Sequence, residues 1–144
     1  MTGTSLKNNT FVFIDTSALF ALVNRSDADH ERARQCLSSL SNDNTTLVIS
    51  NFILSETYTL ILYKIGRTTA LQVVNGLFET CELERVSEDD EEHAWRIIND
   101  FDDKDFSYVD ATTFAVMTRL GITKAFSFDE HFNQYPPVQR IPEL

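Results

Sequence analysis

The sequence predicts a three-layer α/β/α domain: a central, mainly parallel, twisted sheet with helices on both faces. Three observations carry that expectation. Short apolar runs rich in strand formers alternate with longer helix-like segments, and parallel strands need such crossovers to connect them. The chain has 144 residues, 42% of them hydrophobic, enough for one core and too few for two comfortable ones. No internal repeat, low-complexity tract or linker interrupts it. The expected organisation is a polar extension over residues 1–10 and a single domain over 11–144.

FVFID (Phe11 to Asp15) reads as the first strand, and the segment from Thr16 as a helix packing back on it. A polar Ser26-Asp27 start precedes ADHERARQCLSSL, in which Ala33, Leu37 and Leu40 share one side of a helix. TLVIS (Thr46 to Ser50) is the second strand. FILSETYTLILYKI follows as an apolar helix closed by Gly66, and Thr68 starts another through TALQVVNGLFETC. CELERV alternates as a short strand. Ser87 caps the helix EDDEEHAWRIINDF, whose early acids suit the positive end of the helix dipole. After the loop DDKD, the helix SYVDATTFAVMTRL ends at Gly121, and KAFSFD is the last clear strand. The tail, with Pro136, Pro137 and Pro142, leaves room for an edge strand around Val138 to Ile141.

Composition excludes several classes. No apolar run reaches the roughly 18 residues of a membrane span, and the start MTGTSLKNNT lacks the apolar core of a signal peptide, so the cytoplasm is the expected location. Cys36 and Cys81 are isolated and read as buried, reduced thiols. His30, His93 and His131 are scattered, which argues against zinc. Trp95, at helical spacing with Ile98, reads as core before a base-stacking platform, and His131, two residues after Asp129, as a partly exposed histidine without chemical consequence before a substrate contact. The net charge of -10 is local. Residues 79–105 hold twelve acids against three bases, so -9 of it lies there. Arg25, Arg32, Arg34, Lys64 and Arg67 read as solvated helix surface that could form a modest basic face.

Four carboxylates stand out. Asp15 and Asp129 follow the first and last clear strands, where ligands bind in open parallel sheets; either also reads as a helix N-cap. Glu56 has Phe52, Ile53, Thr59 and Leu60 at helical spacing, and Asp110 has Phe106, Ser107, Thr113 and Phe114. An unpaired charge on such a face costs about 2 kcal/mol or more, and a salt bridge from elsewhere in the fold is the plain alternative for either. Converging on one cleft, the four would repel one another unless a multivalent cation neutralised them. An all-carboxylate set favours Mg2+, with Mn2+ second. Such ions act on phosphates, and with the acidic block and the four ligands set aside, six acids face nine bases, which is compatible with a nucleic-acid substrate.

These residues carry a family resemblance. FVFIDTSALFALV, the Glu of SETYTL, DFSYVDATTFAVMTRLGI and KAFSFDEHF resemble the successive acidic motifs of the PIN domain, and within it the small stand-alone toxins of the VapC type. The likeness runs from about Phe11 to Phe132, with the stretch from Asp105 to Asp129 its most specific part. It implies the PIN-like three-layer fold and an endoribonuclease whose acidic quartet is Asp15, Glu56, Asp110 and Asp129. It also implies a hydroxyl near the last carboxylate, matched by Ser127, and one after the first, for which Thr16 and Ser17 are candidates. Asp105 is a weaker addition, holding an outer water or capping the following helix. The implied reaction is in-line attack by a metal-activated water, leaving 5'-phosphate and 3'-hydroxyl ends, with Asp15 and Asp110 as main ligands. A homodimer and inhibition by a small antitoxin are implied as well.

Other readings stay open: an RNA-processing nuclease that is not a toxin, or a scaffold that binds RNA or protein without cutting. A phosphorylation-dependent receiver domain would need paired acids after the first strand and an Asp after a middle one. Here Asp15 has no acidic neighbour and TLVIS leads into Asn51.

Overall fold

The structure, a computed structural model, describes residues 10–143. The expected extension therefore lies outside the described residues except for Thr10, which opens the first strand. The elements run β1 (Thr10–Ile14), α1 (Thr16–Val23), α2 (His30–Ser41), β2 (Thr45–Ser50), α3 (Asn51–Lys64), α4 (Arg67–Thr80) and β3 (Cys81–Glu84). Then come α5 (Glu88–Asp100), α6 (Tyr108–Leu120), β4 (Lys124–Phe126), a 3-10 turn (Glu130–Asn133) and β5 (Gln139–Ile141).

The sheet order is β3-β2-β1-β4-β5 and every neighbouring pair is parallel, including the edge strand β5. From β1 to β3 the chain steps one way across the sheet, and from β3 to β4 it steps back past both. Right-handed crossovers then put α1 to α4 on one face and α5 with α6 on the other. Helix packing follows that division: α3 meets α1 and α4, and α5 lies along α6. The order reverses between β1 and β4, so the cleft of such a sheet belongs at their carboxyl ends.

Local chemistry sets the boundaries. Ser87 and Ser107 each close a capping box, with Asp90 and Asp110 as the reciprocal partners. Gly121 ends α6 in the left-handed conformation expected of it. Gly66, at φ +140°, both closes α3 and precedes α4, which starts at Arg67 and not at Thr68. The strand in KAFSFD stops at Phe126, which leaves Ser127 to Asp129 beyond the sheet edge.

The core is built from Val12, Phe13 and Ile14, Val48 and Ile49, Phe114 and Met117, and Phe126 and Phe132. Trp95 is not part of it. Ala94 and Ile97 face inward on α5, and Trp95, about 100° around the helix from Ala94, is 52% exposed and stacks on Tyr108 at 4.6 Å. Cys36 and Cys81 are free thiols but only half-buried.

Candidate active site

Register builds the site. Ile14 pairs with Phe126, and the Asp15 N–H donates to the Phe126 carbonyl at 3.0 Å, so the residues just past the two strands, Asp15 and Ser127, lie side by side. Ser127 Oγ donates to Asp15 Oδ2 at 2.9 Å, and Ser17 Oγ donates to the same oxygen at 2.7 Å. The Ser17 N–H adds a third bond at 3.3 Å, which makes Asp15 the N-cap of α1. No hydrogen bond reaches Oδ1 among the described residues. The two serines also fix the loop after β4: Ser17 Oγ accepts from the Phe128 N–H at 2.9 Å, and Ser127 Oγ from the Asp129 N–H at 3.0 Å. Thr16 plays a different part. It is buried, and its hydroxyl accepts from Thr57 on α3 at 3.1 Å.

Asp110 comes from the first turn of α6, where the capping box holds it: its N–H donates to Ser107 Oγ at 3.0 Å, and the Ser107 N–H donates to Asp110 Oδ2 at 3.3 Å. Asp129 caps the 3-10 turn by accepting the His131 N–H at 2.9 Å. Both strand-end aspartates are thus helix caps and cleft residues at once. A pocket of about 410 Å³ brings together Asp15, Glu56, Asp110 and Asp129 with Thr16, Ser17, Ser107 and His131.

Two placements differ from the sequence reading. Glu56 does not sit on a buried face. Ile53, Thr57 and Ile61, four residues apart, are the buried stripe of α3, and Glu56, one position before Thr57, points to an exposed rim shared with a neighbouring groove lined by Phe52, Tyr63 and Tyr108. Asp105 is exposed and caps nothing, because Ser107 is the N-cap of α6; its charge still reaches His131.

His131 is the residue that sequence reasoning passed over. Its Nδ1 lies 2.7 Å from Asp110 Oδ2 and 3.6 Å from Asp129 Oδ1. Burial works against its charge, yet the Asp110 hydrogen bond and the surrounding carboxylates outweigh burial and raise its pKa. The signal available in sequence was DEH itself: a cap residue and a side chain two positions on, folded to one side by a tight turn.

The cleft is acidic and lacks a basic partner of permanent charge among the described residues. Burial pushes Asp15 up to about 6 against the pull of the Ser17 and Ser127 hydrogen bonds, and the Asp110 charge pushes the same way as burial. Among the described residues no Lys or Arg pairs with Asp15, Glu56, Asp110 or Asp129. Elsewhere arginines are paired: Arg32 with Asp29 at 2.7 Å, and Arg34 with Glu31 at 3.0 Å, which neutralises much of the basic face on α2. Asp110, Asp129 and His131 offer ligand atoms all within 4.8 Å of one another, a donor set that fits a divalent cation.

Fold and cleft together define a doubly covered parallel α/β protein with an acidic cleft at the reversal point of its sheet. Residues 12–136 match the PIN domain, and the chain belongs to the PIN-domain family, among proteins of the VapC type. It is 36% identical over 133 residues to the 23S rRNA-specific endonuclease VapC20 of Mycobacterium tuberculosis, spanning 92% of this chain and 99% of that one. Ribonuclease VapC26 of the same organism is 26% identical over 88% of this chain and 93% of its own. The crystal structure of VapC20, described as a Sarcin-Ricin loop cleaving toxin, superposes with a TM-score of 0.79 at 35% identity, covering 85% of this chain and 93% of that one. VapBC2 of Rickettsia felis, solved bound to a DNA fragment from its promoter, shares the fold with a TM-score of 0.73 at 11% identity, over 91% and 97% of the two chains. No helix among the described residues is long and apolar enough to cross a membrane.

Proposed function

We propose that this protein is a divalent-metal-dependent endoribonuclease and the toxin of a toxin-antitoxin pair, acting in the cytoplasm. The observation that carries the reading is a cleft of four carboxylates with no Lys or Arg to neutralise them among the described residues. The toxin and endonuclease descriptions of VapC20, at 36% identity over nearly its whole length, support it. They also make 23S rRNA the first substrate to test. The single domain over 11–144, the antitoxin and a homodimer belong to the same proposal.

Asp15 and Asp110 would be the main ligands of Mg2+, or of Mn2+ in its place, with Asp129 and Glu56 completing the shell or orienting the attacking water. The cation, when bound, neutralises phosphate charge and makes water a stronger nucleophile near neutral pH. The remaining work falls to the chain. Ser17 and Ser127 hold Asp15 by Oδ2 and leave Oδ1 facing no donor of the protein. Ser107 fixes Asp110 through the capping box, and the tight turn after β4 fixes Asp129. Glu56, at the exposed rim of the same cleft, would complete the shell or orient the attacking water.

Purified protein with Mg2+ should cut 23S rRNA to 5'-phosphate and 3'-hydroxyl ends, and Asp15→Ala should abolish cutting while the protein stays folded. Parental cleavage by that variant would sink the proposal. Growth arrest on expression, relieved by a short neighbouring gene product, distinguishes a toxin from a processing nuclease. Calorimetry showing no cation binding would leave only the non-catalytic scaffold.

A further inference from the structure

We infer that His131 is a direct ligand of the cation, through Nδ1, and that it biases the site toward first-row transition ions such as Mn2+ and Co2+ over Mg2+. The inference rests on the cation-site reading above and deepens it, because His131 lies outside the acidic quartet.

Position comes first. The 3-10 turn after β4 is anchored by Phe132, which is fully buried, and closed by the His131 N–H on Asp129 Oδ1 at 2.9 Å. His131 and Asp129 are thereby turned to the same side of a rigid corner. The ring packs edge-to-face on Phe106 at a centroid distance of 5.4 Å and an interplanar angle of 82°, which restricts it to small rotations. Nδ1 is the nitrogen aimed at the carboxylates. Nε2 makes no hydrogen bond within the protein among the described residues.

Distances come next. Oxygen or nitrogen ligands at about 2.1 Å from an octahedral ion lie about 3.0 Å apart when adjacent and about 4.2 Å apart when opposite. Nδ1 is 2.7 Å from Asp110 Oδ2 and 3.6 Å from Asp129 Oδ1, and the three-residue set closes within 4.8 Å. Shifts of a few tenths of an ångström to about half an ångström convert this hydrogen-bonded cluster into a coordination edge, which side-chain rotation supplies. In that state Nδ1 carries its lone pair toward the ion, and the proton resides on Nε2.

Chemistry then sets the preference. A carboxylate and water shell serves Mg2+ and Mn2+ alike, whereas an imidazole nitrogen favours transition ions over Mg2+, increasingly so from Mn2+ to Co2+. An acidic quartet alone gives no such bias; a quartet with His131 gives one.

The test is calorimetric titration of the full chain with Mg2+, Mn2+ and Co2+, together with pulsed electron paramagnetic resonance of the Mn2+-loaded protein. His131→Ala should weaken Mn2+ and Co2+ binding by about tenfold or more while Mg2+ affinity changes less than about threefold. His131→Asn, which offers an amide oxygen, should keep Mg2+ binding and lose the transition-ion preference. The resonance should show nitrogen coupling that changes isotope when histidine is labelled with 15N and that disappears in both variants. An unchanged Mn2+ to Mg2+ affinity ratio in His131→Ala, or no histidine nitrogen coupling in the parent, would overturn the inference. Asp110→Ala separates this from failure of the underlying reading: parental Mg2+ affinity in that variant would show that the cleft is not the cation site at all.

Discussion

The first turns of α5 and α6 use the same device to opposite ends. Each opens on Ser-x-x-Asp, each closes a capping box, and each buries the aspartate, Asp90 to 3% and Asp110 to 7% exposure. They differ in what stands opposite. Asp90 receives Arg119 Nε at 2.9 Å and an Arg119 terminal nitrogen at 2.8 Å, while the same guanidinium reaches Glu84 on β3 at 2.8 Å. Asp110 faces the His131 ring and shares its cleft with three more carboxylates. Although burial alone would raise the Asp90 pKa, the Arg119 hydrogen bonds and the capping box hold it below the usual range. A guanidinium is permanent, so the Asp90 site is closed. A neutral imidazole carries no charge and presents a lone pair, so the His131 ring leaves the Asp110 carboxylate without a permanent counter-charge. Burial and cap geometry do not separate a structural acid from a functional one; the counter-charge does.

The largest expected effect comes from removing the charge at each site. If Asp110 is a ligand as proposed, Asp110→Asn should lower RNA cleavage by about 10³-fold and leave the melting temperature in chelator unchanged or higher. Asp90→Asn should do the reverse: cleavage intact, and stability lower by about 2 kcal/mol because half-exposed Arg119 loses its buried partner. Paired melting curves and cleavage rates check both. Loss of cleavage in folded Asp90→Asn would break the comparison.

A smaller contrast appears in pH dependence. Asp15, raised from 3.8 to about 6, binds its proton more tightly in the folded state. Its contribution is fully present below pH 3.8 and is lost as pH rises through 6, an effect of about 3 kcal/mol in metal-free protein. Asp90, with its pKa lowered, contributes stability above its unfolded pKa near 3.8 and loses it as pH falls through the lower folded value. Urea titrations in chelator should therefore show stability declining from pH 4 to 6. Asp15→Asn should flatten that decline, and saturating divalent cation should reverse it. Asp90→Asn should act only on the acid side.

Which parts of this were legible in sequence follows from the range of the forces involved. Caps and helix stops are local, and Ser87 and Gly121 act as their neighbours predict, although the cap of α6 is Ser107 and not Asp105. The parallel sheet follows from alternation, down to the edge strand near residues 139–141. Helical phase was less secure: an apolar neighbourhood on both sides of Glu56 concealed that the buried stripe passes one residue away, and Trp95 falls outside its stripe in the same way. His131 could not be placed because its partner Asp110 lies 21 residues earlier, across the α6 to β4 connection. Such a meeting is fixed by the reversal of strand order and not by any spacing in the chain.

The smallest and sharpest test substitutes the caps themselves. Ser87→Ala and Ser107→Ala each remove one hydroxyl bond to an N3 amide, 3.1 Å and 3.0 Å long, and each should lower stability by about 1 kcal/mol. If the two turns differed only in position, their effects on cation binding would also match. They should not, because Asp90 remains clamped by Arg119 and plays no part in the cleft, whereas Asp110 keeps only the Ser107 N–H and His131 to orient it. Ser107→Ala should thus weaken Mn2+ affinity by about threefold, and Ser87→Ala should leave it at the parental value. Equal cation affinities in the two variants, with equal losses of stability, would mean that the Ser107 hydroxyl is only a helix cap, and that the Ser107 N–H and His131 suffice to orient Asp110.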